Sequence, residues 1–418
     1  FYYNSTAGLL YLWYNTTTTP PLPPPQVEVP VLEELIVIEG SQEFPVVNVS
    51  LFGLKFTGQA PTYLQPHGIP SAGDWGLARI AAVRMKGTER TTIDGCTFHH
   101  LDGNAVFLDG YNRWTQISRS EFVQLGSTAI AAWGYEHMGD GTGGDQPRDT
   151  QVVDNMCHEI GIYQKQSSCY FQAVSAENVI QRNLFFNGPR AMVNFNDGFG
   201  GGHDLGDNLI FNSCRESSDH GAFNSWDRQP YVTLVGGSHA KATAQPAYSR
   251  LHNNFIVANY AADGGCFDND DGSSWYLEQN NFCVYGGMKS NFEGHNKRSS
   301  NNVHAFASVY GDKCLGGINQ ISDEYAEGYF NNTCILTSAG DPYIQLSSCS
   351  LTAADYHTIT HDNIVYAPDG NVTVSCGKEL SGGEWLAAGL DAGSVIRDAK
   401  DITTADIIAL GAAVLQQK

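Results

Sequence analysis

A dense group of acidic side chains lies between positions 194 and 289, among glycines, asparagines and aromatic residues. Two carboxyl groups that flank a glycosidic bond can act as acid and base, or as acid and nucleophile. Aromatic side chains in the same region can stack on the faces of sugar rings. The region therefore offers the side chains that a carbohydrate site needs. The acids are Asp197, Asp204, Asp207, Glu216, Asp219, Asp227, Asp263, Asp268, Asp270 and Asp271, and the aromatic residues are Phe199, Trp226, Tyr231 and Trp275.

The neighbours of three acids limit the functional roles that these acids can have. Asp227 stands between Trp226 and Arg228, and the guanidinium of an adjacent Arg can hold a carboxylate in its ionised form. Asp270 and Asp271 are adjacent, so if they lie in a strand at most one of them faces a given site. The same Arg could also be a simple structural partner, and both interpretations of Asp227 stay open.

Other polar residues of the region allow structural interpretations. Asp204 and Asp207 read mostly as residues that cap backbone N–H groups in turns. His220 and Lys289 are either substrate contacts or partners of nearby carboxylates. The run from Asp268 to Gly272 contains calcium-type ligands but lacks the alternate spacing of an EF-hand loop. We therefore predict no metal and no other cofactor, with a calcium site of another type as the alternative.

The composition limits the partners of the chain. Its net charge is −21 over 418 residues, which disfavours nucleic acid and favours a neutral ligand. Ten Cys residues without a C-x-x-C pair favour disulfides over a zinc site. Together with five N-glycosylation sequons they predict a secreted glycoprotein, extracellular or at the cell surface, and no apolar run is long enough to span a membrane. The sequons lie at Asn4, Asn15, Asn48, Asn331 and Asn371.

A repeat of short β-rich runs begins near Val27. Each copy places a small polar residue, most often Asn, before an apolar pair, and successive copies are 21 to 46 residues apart. The shorter spacings predict the coils of a right-handed parallel β-helix, an all-β solenoid, and the longer ones predict coils with added loops. A buried Asn repeated at one turn can form a hydrogen-bonded ladder. We align the copies at Thr97, Glu121, Asn155, Asn183, Asn208, Asn254, Asn281, Asn302, Asn332 and Asn363.

The pattern divides the chain into three parts. Residues 1–26 read as a β-hairpin followed by a Thr/Pro-rich polyproline segment, and residues 27–390 read as the β-helix. Residues 391–418 read as a helical cap over the last coil, with Thr403 or Thr404 at the start of its helix. Four insertions interrupt the repeat, and loops on one face of a solenoid commonly form its binding surface. The insertions are Tyr63–Trp75, Tyr135–Arg148, Asp204–Tyr231 and Val235–Tyr248.

Several long motifs also occur in the order seen in a known family. They are NDGFGGG at 196–202, RESSDHGAFNSWDRQPY at 215–231, DNDDGSSWY at 268–276 and GGMK at 286–289. These motifs resemble those of the right-handed β-helix enzymes of glycoside hydrolase family 141 and their uncharacterised relatives. The resemblance implies hydrolysis of plant- or algal-type glycans, since the family acts on fucosides and xylan. It also implies a carboxylate pair formed by Asp227 with Asp270 or Asp271, with Asp219 and Glu216 in reserve.

We therefore expect a glycoside hydrolase-like site that acts on a glycan. The expected catalytic residues are Asp227, Asp271, Asp270 and Asp219. The expected substrate contacts are Asp197, Glu216, His220, Trp226, Arg228 and Lys289.

Two other functions stay open. A non-catalytic extracellular fibre, filament or coat subunit would keep the fold and could self-assemble through its chain ends. A polysaccharide lyase is less favoured, because that class uses a Lys or Arg base, or calcium, beside a uronate, and this chain is acidic. Family members commonly carry more chain, which supplies the first coils, before the segment that resembles FYYNSTAGLLYLWYN, and the resemblance therefore implies that this chain is one part of a larger protein.

Overall fold

The computed structural model shows a parallel β-helix, which confirms the predicted fold. Three long sheets run side by side, and successive coils add one strand to each of them. Strands make up most of the regular secondary structure of the described residues, and helices are few. The described residues are 2–4, 6–12, 28–69, 75–136, 141–196, 200–226, 233–234, 242–243, 246–261, 264–291, 294–309, 313–318, 327–346 and 358–416.

The strands are short and almost all parallel. The first sheet contains Ile36–Glu39, Val46–Val47, Ala81–Glu89, Asn104–Arg113, Ile130–Trp133, Pro147–Arg148, Tyr170–Ala173, Val193–Asn196, Phe223–Trp226, Phe267–Asn269, Met288–Ser290, Leu315–Ile318, Asp341–Leu346, Val372–Ser375 and Glu379–Ser381. The second contains Ser50–Phe52, Thr92–Asp94, Gln116–Ser118, Gln151–Val153, Val179–Gln181, Asp204–Gly206, Ser249–His252, Tyr276–Gln279, Arg298–Ser300, Glu327–Phe330, Thr358–His361 and Asp391–Ala392. The third contains Lys55–Phe56, Thr97–Leu101, Glu121–Leu125, Met156–His158, Leu184–Phe186, Leu209–Ser213, Phe255–Asn259, Phe282–Val284, Val303–Ala305, Thr333–Ile335, Ile364–Ala367 and Val395–Asp398.

The remaining elements are short. Two helices, α1 (Gly382–Ala387) and α2 (Thr404–Gln416), and two 3₁₀ turns, Pro368–Gly370 and Ala399–Asp401, follow the last coils. Two antiparallel hairpins lie outside the long sheets, Tyr2–Asn4 with Leu9–Tyr11 and Thr233–Leu234 with Ala242–Thr243. The first of them confirms the hairpin predicted at the start of the chain.

A ladder of buried Asn side chains fixes the turn between the second and third sheets. Asn183 Nδ2 donates to Asn208 Oδ1 at 3.0 Å, and Asn208 Nδ2 donates to Asn254 Oδ1 at 3.0 Å. The residue before each ladder Asn has a positive φ, between 54° and 60°, which suits the Asn and Asp found at most of these positions. The predicted ladder is therefore confirmed. Its amide-to-amide contacts run through Asn155, Asn183, Asn208, Asn254, Asn281, Asn302 and Asn332.

The alignment of the first two copies is wrong by one residue. Glu121 pairs with Thr97 on one side and with Met156, not Asn155, on the other. The ladder position in that coil is Ser120, whose backbone N–H donates to Asn155 Oδ1 at 3.0 Å. Where the polar residue is not Asn, the pattern of a polar residue before an apolar pair fits two alignments that differ by one residue. The two alignments place opposite faces of the strand toward the core.

Inward side chains of all three sheets form one continuous apolar core, and disulfides cross it. Each of three disulfides joins a third-sheet strand to the residue just before a first-sheet strand. Cys376 is also disulfide-bonded, and Cys96 and Cys214 are buried thiols. The predicted presence of disulfides is confirmed, whereas their connectivity was left open by the sequence. The three bonds are Cys157–Cys169, Cys266–Cys283 and Cys314–Cys334.

The C-terminal region differs from the predicted cap. Residues 391–392 and 395–398 are strands of the last coil, and α2 begins only at Thr404. As predicted, Thr403 caps this helix: its Oγ1 accepts from the backbone N–H of Asp406 at 3.2 Å. However, α2 does not cover the end of the solenoid, because its apolar side packs on the outer face of the third sheet, with Val414 in a cluster with Phe282. Trp385 of α1, fully buried in the main core, lies at the end instead.

Gly68 and Trp75, at two points of the insertion Tyr63–Trp75, lie over the outer face of the first sheet. Among the described residues of this insertion, Gly68 forms an isolated antiparallel bridge with Leu77 and packs directly on the ring of Trp133. Trp75 is 1% exposed and belongs to a second apolar cluster, which covers the outer side of the early coils. The outer face of this sheet is therefore apolar and covered at its N-terminal end.

Candidate active site

Beyond this cover, the outer face of the first sheet becomes polar. Asn194, Asn224, Asp268 and Lys289 occupy one register position on four successive strands. Because their neighbours in sequence, such as Phe267, point into the core, these four side chains point outward. A second outward column contains Asn196, Trp226, Asp270 and Asn291. The parallel stacking thus brings together residues that are far apart in the sequence.

Lys289 lies at the centre of the polar region. Its Nζ is 3.3 Å from Asp268 Oδ1, 3.5 Å from Asp219 Oδ1 and 3.8 Å from Asp270 Oδ1. Asp270 also accepts a hydrogen bond from Asn291 Nδ2 at 3.0 Å. One ammonium group therefore links three carboxyl groups, two from the sheet and one from the loop before the strand Phe223–Trp226.

The three carboxyl groups differ in their environment. Asp268 has no exposed surface, Asp270 has 20% of its side chain exposed, and Asp219 has 57% exposed. Burial raises the pKa of Asp268 well above its ordinary value, although the charge of Lys289 opposes the shift. In contrast, the hydrogen bond from His220, with the charges of His220, Lys289 and Arg190, holds the pKa of Asp219 far below its ordinary range. The environments of these two neighbouring carboxyl groups therefore displace their pKa values in opposite directions.

His220 connects the carboxyl groups to the covered part of the face. Its Nδ1 is 3.3 Å from Asp219 Oδ2, and its ring stacks on Trp75 with a centroid distance of 6.0 Å. One ligand atom each from Asp219, His220 and Asp268 lie within 4.8 Å of one another, a set that could hold a metal ion. Lys289 already provides positive charge to both of these carboxylates.

The other predicted site residues are distributed as follows. Asp271 is half-buried in the turn after the strand Phe267–Asn269, and Trp226 is half-buried on the same face as Asp270. Glu216 is exposed and forms an ion pair with Lys165 at 2.9 Å. Asp197, Asp227 and Arg228 lie outside the described residues, so the assignments made to them stay predictions.

A buried polar network lies on the inner side of the same strands. Ser225 Oγ donates to Asn269 Oδ1 at 3.0 Å, and Asn269 Nδ2 donates to Glu278 Oε1. Lys297 Nζ is 3.2 Å from Glu327 Oε1 and donates to the backbone oxygen of Ser273 at 3.1 Å. Burial raises the pKa of Glu278 to about 7. This network anchors from below the strand and turn that carry the outward acids.

Asp268 was among the candidate acids but not among the residues expected to be catalytic. The sequence did contain a signal for its position, because Asp268 and Lys289 are separated by 21 residues, the spacing of the ladder residues Asn281 and Asn302. Asn194 and Asn224 were not singled out at all. Among the described residues, both amide atoms of Asn194 and Nδ2 of Asn224 are buried and lack a hydrogen-bond partner.

The predicted glycosylation sites are compatible with modification where they are described. Asn48, Asn331 and Asn371 are exposed, Asn4 is half-buried, and Asn15 lies outside the described residues. Among the described residues, no helix is long and apolar enough to cross a membrane.

Comparisons with known proteins include a distant structural similarity. No family model matches the chain, and no curated protein matches it. A solved structure described as "Glycoside hydrolase" is 14% identical with a TM-score of 0.49, and the match covers 66% of this chain and 50% of that one. The chain thus spans half the length of that protein, and the similarity is too low to transfer an activity.

Proposed function

We propose that this chain is an extracellular carbohydrate-active protein that hydrolyses glycosidic bonds with a pair of carboxyl groups. The observation that supports this proposal best is the contrast between Asp268 and Asp219. Neighbouring carboxyl groups whose pKa values are displaced in opposite directions are the usual signature of an acid and its ionised partner. Asp268 would donate a proton to the leaving oxygen, and Asp219 would act as nucleophile or base.

The spacing of the pair favours one stereochemical course. Carboxyl groups about 5 Å apart are typical of retaining glycosidases, and separations of ~6.5–9.5 Å leave room for the water of inverting ones. The nearest ligand atoms of Asp219 and Asp268 lie within 4.8 Å of each other. We therefore expect retention, with Asp219 as the nucleophile.

Substrate binding must uncover the acid. Asp268 has no exposed surface, whereas 12% of the Lys289 side chain is exposed. Lys289, whose Nζ is 3.3 Å from Asp268 Oδ1, is the partner that must move for a glycosidic oxygen to reach Asp268. The unpartnered amides of Asn194 and Asn224, in the same column, then offer hydrogen bonds to sugar hydroxyl groups.

Two finer assignments belong to this proposal. The resemblance to glycoside hydrolase family 141 supports fucosylated or xylan-type substrates and a pair formed by Asp227 with Asp270 or Asp271. Asp270 shares Lys289 with the pair proposed here, so either assignment uses the same part of the face. The disulfides and exposed sequons support secretion, and calcium stays an alternative ligand of residues 268–272.

The test is a release assay on a panel of plant and algal glycans, including fucosylated and xylan types. Asp268→Asn and Asp219→Asn should each lower the rate by at least a hundredfold, since acid catalysis alone contributes about 10²–10⁴. If the catalytic pair is instead Asp227 with Asp270 or Asp271, the loss of release will appear in Asp227→Asn and in Asp270→Asn or Asp271→Asn. Asp204→Asn is the matched control, because Asp204 pairs with Arg250 and His252 on the second sheet. Absence of release from every glycan by the folded wild type would favour the structural alternative, a fibre or coat subunit.

A further inference from the structure

The covered part of the first sheet ends next to the carboxyl groups. Trp75 stacks on Phe171, an outward residue of the strand Tyr170–Ala173, with a centroid distance of 5.9 Å. It also stacks on His220, which contacts Asp219. Only one side chain therefore separates the indole of Trp75 from the ionised carboxylate.

Trp75 is held firmly in this position. It is 1% exposed, and the guanidinium of Arg190 lies over its ring at 4.9 Å. The antiparallel bridge between Gly68 and Leu77 joins the backbone before Trp75 to the backbone after it, and Gly68 packs on Trp133. These contacts make Trp75 a fixed wall, in contrast to an active-site lid with few buried contacts.

Behind the wall the outward column is apolar. Phe107, Ala131 and Phe171 occupy the register position that Asn194, Asn224 and Asp268 occupy on the later strands. All three are buried in the cluster that contains Trp75. A glycan that followed the outer face of the sheet could not continue in this direction past Asp219.

We infer that the site is closed on its N-terminal side and acts on the terminal sugar of a glycan, releasing one unit at a time. This inference rests on the proposed hydrolytic function and adds the mode of action to it. Among the described residues, the wall formed by Trp75, His220 and Arg190 closes this side of the face to a second sugar beyond the one held at the carboxyl groups. Three carboxyl groups around a single lysine favour a neutral terminal sugar over an acidic one.

The experiment uses the wild-type chain and a linear oligosaccharide that it cleaves, labelled at its reducing end. Products are separated by length at early times. We expect labelled products that shorten by one unit at a time, and no cleavage when the terminal glycosidic oxygen is replaced by sulfur. Early products shorter by several units, or continued cleavage of the end-blocked substrate, would overturn the inference while leaving hydrolysis intact. If no linear glycan is cleaved at all, the proposed function fails and this inference fails with it.

A second variant tests the wall itself. Trp75→Ala, if folded by circular dichroism, should raise the ratio of oligosaccharide to monosaccharide products at least tenfold. The matched control is Trp114→Ala, because Trp114 also carries a guanidinium over its ring, that of Arg90 at 4.7 Å, and lies in the turn after the strand Asn104–Arg113. An unchanged product ratio in a folded Trp75→Ala protein would contradict the assignment of the wall to Trp75. If this variant does not fold, the end-blocked substrate still decides the question.

Discussion

Asn254 illustrates how a single side chain stabilises a turn of the solenoid. Its Oδ1 accepts from the backbone N–H and from Nδ2 of Asn208, and its Nδ2 donates to Leu205 O and to Asn281 Oδ1. Asn254 is fully buried, so water does not replace these partners. Asn254→Ala would leave several buried polar groups unpaired at once.

We expect Asn254→Ala to lower the free energy of unfolding by about 3–5 kcal/mol, since each unpaired buried group costs about 1–3 kcal/mol. Asn371→Ala, at an exposed position, should change it by less than about 0.5 kcal/mol. Urea denaturation followed by circular dichroism measures both. Equal effects of the two substitutions would show that the ladder does not stabilise the fold.

Glu278 makes stability depend on pH. Its folded-state pKa is about 7, above the ordinary value of 4.5, because the side chain is buried. Between these two pH values the folded protein holds a proton that the unfolded chain has released. The free energy of unfolding therefore falls as the pH rises through this window, by about 3 kcal/mol from this group.

Glu278→Gln should remove that part of the pH dependence, because Gln does not titrate and its Oε1 can still accept from Asn269 Nδ2. The difference in unfolding free energy between the two proteins is measured from pH 4 to pH 8. We expect the unfolding free energy of the variant to rise relative to that of the wild type as the pH rises from about 4.5 to about 7. Glu379→Gln, at an exposed position, should follow the wild type throughout. Parallel curves for wild type and Glu278→Gln would contradict the assignment.

At the scale of single elements, α2 is an addition to the outside of the solenoid. Val414 is 5% exposed against the third sheet, whereas Ile408 on the same helix is 66% exposed. Val414→Asp places a charge in an apolar contact and should release α2, so that its amides exchange hydrogen much faster while the coils stay protected. Ile408→Asp is the matched control and should leave exchange in α2 unchanged. Cooperative loss of protection in the coils of the Val414→Asp protein would show instead that α2 is required for the β-helix.

An element could be predicted from the sequence when the residues that determine it are close together in the chain. The ladder turns and the Thr403 cap are set by residues close in sequence, and both were predicted from it. The environment of Asp268 depends on Lys289 one coil later and on Asp219 before a long insertion, so the choice among neighbouring acids needed the register of the coils. The position of Trp75 depends on an insertion that interrupts the repeat, for which the repeat gives no rule.

At the scale of the whole molecule, the solenoid has few contacts that join distant coils. Each coil packs mainly on its two neighbours, so stability is close to a sum of coil and interface contributions. The polar interior around Glu278 and Glu327 is one of several buried polar networks within a mainly apolar column, another being Gln172 with Asn178 and His203. A disturbance in one coil should therefore remain near that coil unless the protein is close to its unfolding midpoint.

The disulfides allow a direct test of this local behaviour. Cys314–Cys334 closes a loop with a sequence separation of 20, and a cross-link of this size stabilises by about 3 kcal/mol through the unfolded chain. Replacing both residues with Ser should increase hydrogen exchange in the strands Val303–Ala305 and Thr333–Ile335, which are neighbours in the third sheet. The strands Thr97–Leu101 and Glu121–Leu125, in distant coils, should keep their protection because no interface links them directly to the altered coil. A uniform rise in exchange along the chain would mean that the solenoid unfolds as a single cooperative unit, and the additive description would then be wrong for this protein.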